Sequence, residues 1–427
     1  MSDADVVVVG AGLAGLRAAS DLTAAGLDVV VLEAGYEVGG RVRTDAIDGF
    51  LVDRGFQLLN PGYPAVRSGI DVAALALQPF EAGVVGRTDR GLVSLGHPLH
   101  APRLLPGSAR VLARRHREAL ALTRWARPLL HAPGTPLAQH LRHLSDTGGL
   151  PARLADSLDE ARVAGTLRRV LEGFLKGVLL EDDGETSTAF ALLLVASFLR
   201  GTPALPARGM QALPQQLAAA AGRIELETPV GDIDAQGSEV VVRTADGDRW
   251  TARSVVVAAD GPAAADLLGL EVPAMRGVVT AWFAADEAPR SRLLHVDARE
   301  RPAGPLVNTA VVSAAAPTYA PAGRHLVEAS ALLPLGGTGP GTAAMRTHAA
   351  ELLGTPSDGW EVLAVHEVPQ ALPAQRPPFR ARQEVRWEPG VYVCGDHRDT
   401  ASIQGALVSG RRTAAHVLAD LSIRSTL

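Results

Sequence analysis

Apolar positions along this chain fall into three regimes. Short unbroken runs come first and recur: Val6 to Val9, Val29 to Leu32, Ser254 to Ala258 and Val391 to Val393. Runs of this length without polar alternation suit strands covered on both faces, as in a parallel sheet. Leu13 to Ala25 reads as a helix between the first two runs, with Gly26 as its stop. Ala212 to Ala221 predicts an alanine-rich helix, and Ile224 to Pro229 a third parallel strand. Hairpins are predicted over Thr44 to Val52, turning at Asp48-Gly49, and over Val240 to Thr244, turning at 245–248 and resuming at Trp250.

The second regime, residues 71–204, is a helical insertion punctuated by proline, with helices expected at about 107–127, 136–146, 151–159, 165–180 and 186–200. The third, 271–384, alternates. It predicts strands at 277–284, 306–312, 325–333 and 361–368 and a helix near 341–353, an antiparallel sheet that floors a substrate cavity. Two domains are therefore expected. One is built from 1–70, 205–270 and 385–427; the other, which binds substrate, from 71–204 and 271–384.

Glycines change the picture at the first strand's end. Gly10, Gly12 and Gly15, with Ala11, Leu13 and Ala14 between them, lead from strand to helix, and Glu33 ends the second strand. This is the dinucleotide fingerprint of a Rossmann-like domain: tight turn, close backbone approach to a pyrophosphate, close helix packing, and an acid for a ribose diol. The helix points free N–H groups at the phosphates. The charge of Glu33 disfavours a 2′-phosphate.

The block from Glu33 and Ala34 through Gly39-Gly40-Arg41 resembles the extended fingerprint of FAD-dependent amine oxidases, protoporphyrinogen oxidases and phytoene desaturases. The resemblance implies an α/β fold: an FAD domain assembled from discontinuous segments, plus an α+β substrate domain carrying the helical insertion. It places Gly39, Gly40 and Arg41 against the diphosphate, and Arg41 is a fork-shaped cation suited to it. It runs Gly55, Phe56 and Gln57 past the flavin ring and lets Val230 clamp adenine through main-chain bonds. Gly395-Asp396 is similar to the superfamily's C-terminal motif, with Asp396 at a ribityl hydroxyl. There Ile403, Gln404 and Ala406 open a helix whose N-terminus favours flavin reduction. FAD is expected to be non-covalent. No second complete nucleotide fingerprint points to a nicotinamide.

Composition narrows the class. The 427 residues are 47% hydrophobic and 20% charged, a well-buried globular balance. A net charge of −5 gives no basis for nucleic-acid binding. A single cysteine, Cys394, excludes an internal disulfide and fits a reducing, cytoplasmic setting, and no secretory signal opens the sequence. Arg103, Arg110, Arg114, Arg115, Arg117, Arg124 and Arg127 crowd one segment, a solvated face or a peripheral contact with an anionic membrane. Oligomeric state is not set by the sequence.

The chemistry beyond flavin is sparse. No C-x-x-C or H-E-x-x-H spacing occurs and no metal is expected. No catalytic residue is assigned. Most of His97, His100, His131, His140 and His143 are predicted at the surface, while His397, next to Asp396, is a candidate for cofactor or substrate contact. Lys176 is the one lysine, so the strands of 271–384 lack the lysine that amine oxidases commonly hold near the flavin. The helix entrance Thr400 to Gln404 has no aromatic residue for an amine cage. These features, with the apolar insertion, resemble the phytoene-desaturase-like branch and imply hydride transfer with an apolar, isoprenoid- or carotenoid-like substrate. An amine or amino-acid oxidase, a redox-neutral isomerase and a non-catalytic flavin-binding protein are the alternatives.

Overall fold

The computed structural model describes residues 3–130, 136–237 and 239–424. Its first sheet runs in the order Val230–Gln236, Glu239–Thr244, Arg249–Val257, Ala4–Val9, Val29–Leu32, Arg223–Glu225. The end of Arg249–Val257 also pairs in parallel with Val391–Val393. The N-terminal strand is parallel to both its neighbours, Val7 standing opposite Val30 and Val255.

Both faces of this sheet are covered, which explains the unbroken valine runs. Val6, Val8 and Val31 pack with Leu16 and Leu22 of the helix Leu13–Ala24 and with Leu407 and Val417 of the helix Ile403–Arg424. Val7, Val9 and Val30 pack on the other side with Val240, Val255 and Val391.

The second sheet runs in the order Glu361–Pro373, Met275–Ala285, His325–Leu333, Leu306–Val311, Leu294–Asp297, Gly83–Thr88, Gly91–Gly96. Its strands have two different faces, the period-2 consequence of pleating. Val279, Ala281 and Phe283 meet Met345 and Ala349 of the helix Thr342–Leu353. Trp282, Ala284, Ala310 and Leu326 face the other way and belong to the same core as the first sheet's helices. The helices Leu137–Asp146, Leu154–Glu160, Gly165–Leu179 and Thr188–Arg200 bury Leu141, Leu158, Leu175 and Phe190 in a cluster of their own.

Several expected elements are corrected. The helix expected over 107–127 is two helices, Leu105–Arg114 and His116–Trp125, broken where Arg115 leaves helical geometry at φ −117°. The 71–204 insertion is not all helical, because the hairpin Gly83–Thr88/Gly91–Gly96 joins the second sheet. That hairpin pairs in parallel with Leu294–Asp297, so the sheet is not purely antiparallel. The strand expected at 224–229 is Arg223–Glu225, and the helix expected to reach Ala221 stops at Ala218. The mostly apolar stretch Ala189 to Leu199, interrupted by Ser197, lies in the helix Thr188–Arg200. No helix among the described residues is long and apolar enough to cross a membrane.

Candidate active site

The glycine turn is built by close contact. Gly10 sits at φ +106°, which side chains rarely adopt, and hydrogen-bonds Leu32 O at 2.8 Å. A glycine inside a helix costs about 1 kcal/mol relative to alanine. At Gly15 that cost is outweighed, since a Cβ there would stand 2.0 Å from Gly10 O and 2.9 Å from the Ala258 Cβ. A Cβ on Gly12, by contrast, would meet nothing within 4 Å. Gly12 caps the helix Leu13–Ala24 without a side-chain bond, leaving the first-turn N–H groups of Leu13 and its neighbours for an anion.

Glu33 is held at the edge of this turn. Its Oε2 accepts the Ala11 N–H at 2.6 Å and its Oε1 accepts the Gly35 N–H at 2.8 Å. Each carboxylate oxygen keeps a further lone pair for a hydroxyl. Ala34 beside it is exposed. The 227–230 segment runs alongside: Glu227 N–H donates to Gly35 O and Thr228 N–H to Glu33 O. Val230, half-buried at the start of its strand and opposite Thr244, is thereby carried toward the Glu33 end of the turn.

The second glycine pair closes on the first. Gly39 N–H donates to Ala11 O at 2.9 Å, and Gly39 bridges Gly12. Gly40, at φ +58°, would place a Cβ 3.3 Å from the Gly12 Cα. Arg41 then spans the site. One guanidinium nitrogen donates to Asp396 Oδ1 at 2.7 Å and another to the Ala371 carbonyl at 2.8 Å. The two ends of the chain thus meet in one ion pair, with Asp396 buried. Gln57 Nε2 donates to the Arg41 carbonyl at 2.7 Å, tying the Gly55-Phe56-Gln57 segment to the same point. Gly55 has φ +82°, and its Cα faces Val278 and Val368 of the second sheet.

At the C-terminal end, Ser402 Oγ accepts the Gly405 N–H and caps the helix that begins at Ile403. Ala406 N–H donates to Ser402 O in that first turn. The Gln404 side chain is engaged elsewhere, its Oε1 accepting the Ala65 N–H at 2.9 Å. His397 is buried, its ring lies over Gly395, and neither ring nitrogen has a hydrogen-bond partner. Burial pushes its pKa down to about 4, so the imidazole is neutral near pH 7.

These residues fit a flavin dinucleotide: an open backbone cradle at Gly12, uncapped helix N–H groups, a guanidinium following Gly39-Gly40 and held by Asp396 and the Ala371 carbonyl, and an orphaned imidazole beside a buried carboxyl. When bound, FAD supplies the electron-accepting ring, and the chain holds and orients it.

Sequence reasoning missed two buried acids close by. Asp53 accepts from Thr44 Oγ1 at 2.5 Å, Met210 N–H at 3.1 Å and Tyr319 OH at 3.0 Å. Burial raises its pKa to about 6 despite these donors. Glu328, on the strand His325–Leu333, is fully buried on the face of the second sheet that carries Trp282. The signal for it was present: Glu328 and Ser330 stand two apart in an otherwise apolar strand and so share a face.

Other expectations separate from this site. His97 and His140 are half-buried rather than at the surface; His100 and His143 are exposed. His131 lies outside the described residues. Both pairs have H-x-x-H spacing, yet the His97 and His100 rings stack on each other at 4.3 Å. Among the described residues no three His, Cys, Asp or Glu side chains form a metal-holding group. Arg103, Arg110, Arg114, Arg117, Arg124 and Arg127 are exposed beside exposed Leu105, Leu112 and Leu120.

Parts of the chain are similar to known proteins. A 71-residue stretch is 46% identical to putrescine oxidase of Kocuria rosea, covering 17% of this chain and 15% of that protein. Over 279 residues the chain is 28% identical to (S)-6-hydroxynicotine oxidase of Paenarthrobacter nicotinovorans, covering 60% and 59%. The matched stretches are thus less than two thirds of either relative's length. In fold, the chain superposes over 99% of its length on all of a putative protoporphyrinogen oxidase from Exiguobacterium sp. 255-15, with a TM-score of 0.72 and 19% identity. The family of flavin-containing amine oxidoreductases matches residues 13–418, nearly the whole chain. With the cradle, the Arg41–Asp396 pair and both glycine loops in place, the chain belongs to that family and its cofactor is FAD.

Proposed function

We propose that the protein is an FAD-dependent oxidoreductase that passes hydride between the flavin and an apolar, uncharged small molecule of isoprenoid type. The observation that supports this reading is the wall around Phe56. Its ring packs edge-on against Phe80 at 6.1 Å and Trp282 at 6.4 Å. Two buried acids of this region are poor partners for an ammonium. Asp53 already accepts three hydrogen bonds, and burial raises the pKa of Glu328, favouring its neutral form. Thr280, not a cationic side chain, faces the Phe56 backbone from the second sheet. The roles given above to Gly12, Glu33, Gly39, Gly40, Arg41, Val230 and Asp396 toward FAD belong to the same proposal.

The second reading is an amine oxidase, favoured by the names of the putrescine and hydroxynicotine relatives. Anaerobic mixing of the FAD-loaded protein with a panel of apolar polyenes and a panel of amines separates the two. Bleaching of the visible flavin band by polyenes alone is expected. Bleaching by an amine, with peroxide release on admitting oxygen, would overturn the apolar reading in favour of the second.

A further inference from the structure

Two adjacent rows of the second sheet carry polar groups on one face. In the first, His366, Thr280, Ser330 and Asn308 stand side by side in register across four strands. In the next, Trp282 and Ala310 flank Glu328. All face the core shared with the first sheet, because Trp282 and Ala310 lie in that core.

Within these rows runs a continuous hydrogen-bonded chain. Phe56 N–H donates to Thr280 Oγ1 at 3.3 Å, Thr280 and Ser330 hydroxyls meet at 2.9 Å, and Ser330 Oγ meets Glu328 Oε2 at 3.0 Å. Thr280 and Glu328 are wholly buried and Ser330 nearly so. Glu328 Oε1, Trp282 Nε1 and Asn308 Oδ1 have no partner. A carboxyl this deep, with one neutral donor and no cation, keeps its proton.

The groups that face it support that state. Met275–Ala285 and Leu306–Val311 bring no charged side chain to the two rows. The helix Gly165–Leu179 brings Gly173 against Val296 and Gly177 against Asn308. Ser313 is spent on the Leu326 N–H. His366, the titratable member of the first row, contacts the Asp53 carbonyl and Asp45, and burial lowers its pKa. The helix Thr342–Leu353 covers the opposite face.

We propose that Glu328, Ser330 and Thr280 form a proton wire that delivers one proton from the buried carboxyl to the reacting side of the flavin site. This rests on the FAD oxidoreductase reading and deepens it. The wire has two settings. In one, Thr280 donates to Ser330 and Ser330 to a Glu328 carboxylate. In the other, Glu328 donates to Ser330 and Ser330 to Thr280. Thr280 Oγ1, with two lone pairs, then accepts from both Ser330 and the Phe56 N–H and turns its own hydrogen outward. Between the settings one proton leaves Glu328, each hydroxyl gives one and takes one, and one arrives at the Thr280 end. No electrons pass through the chain; the electron pair reaches the flavin from the substrate, or from EDTA in the test below, and the proton's acceptor would be a nitrogen of the flavin ring made basic by that pair. Glu328 and Ser330 are positioning residues, acting through Thr280.

Infrared difference spectroscopy on photoreduction of the FAD-loaded protein, with EDTA as electron donor, tests this without a substrate. The wild type is expected to lose a protonated-carboxyl C=O band on reduction. Glu328→Gln removes the band. Ser330→Ala and Thr280→Val keep the acid in the absolute spectrum but lose the change, and Thr280→Ser, which keeps the hydroxyl, restores it. No carboxyl change in the wild type, or a change that survives Ser330→Ala and Thr280→Val, overturns the wire. Failure of the underlying reading looks different: a protein that binds FAD but is neither reduced nor reoxidised by any substrate, with the infrared change intact.

Discussion

Two carboxyl groups are buried to the same depth on either side of the Phe56 segment, and they are wired in opposite ways. Asp53 lies where the Thr44–Ile47/Phe50–Asp53 hairpin, the Met210 turn and Tyr319 meet, and three donors converge on it. Glu328 lies in the sheet floor with one hydroxyl on one oxygen and nothing on the other. Met by three donors, a buried carboxyl is a structural joint, because any change orphans those donors. Left with a free oxygen and a hydroxyl chain, it is a proton store. Depth alone does not distinguish the two; the donor count does.

The sharpest way to break this contrast is Asp53→Ala, which strands three buried donors. A loss on the order of 4 kcal/mol is expected, read as a fall in the urea midpoint. Asp53→Asn should cost less, since the Tyr319 hydroxyl can turn to accept. It should also remove a pH effect. The folded pKa of about 6 lies above the unfolded value, so the native state binds the extra proton. Stability from this group is full below the unfolded pKa near 4 and lost as pH rises through about 6. The variant should lack that slope.

A middle case is Asp396, a buried acid answered by a cation rather than by neutral donors. Arg41→Met removes a charged hydrogen-bonding group directly after the second glycine pair. Retention of FAD should weaken by roughly 2 kcal/mol, about thirtyfold in Kd, measured by flavin fluorescence on dialysis. Glu328→Gln is the smallest. At neutral pH the unfolding midpoint of the cofactor-free protein should not fall and should rise, because an amide replaces an acid that is neutral in the fold but ionised when unfolded, and the variant is spared that proton uptake. A fall as large as that of Asp53→Ala would make Glu328 a joint as well, and the contrast would fall.

How much of this was legible depends on the kind of contact. The glycine loops were readable because their constraint is local. Gly10, Gly12 and Gly15 sit within one turn, and Gly15 is forced by an atom five residues away. Arg41 and Asp396 were each recognisable in their own motifs, but their contact, 355 positions apart in sequence, was not. The arginine-rich segment was read as one helix, because nothing in its apolar spacing marks the break at Arg115. The hairpin Gly83–Thr88/Gly91–Gly96 was lost inside a helical insertion, since its pairing partner Leu294–Asp297 lies over 200 residues on.

The sequence by itself determined the cofactor half. Valine runs, a glycine turn and a terminal acid act over a few residues, and the geometry they impose on a strand–helix–strand unit leaves little choice. Tertiary structure alone decided the other half. Thr280, Ser330 and Glu328 become a chain because antiparallel register places residues 280, 328 and 330 on one face. A register shift of one residue would turn every one of them to the opposite side. Which buried acid is a joint and which holds a mobile proton is therefore set by strand pairing across distant segments, not by the residues that flank either acid.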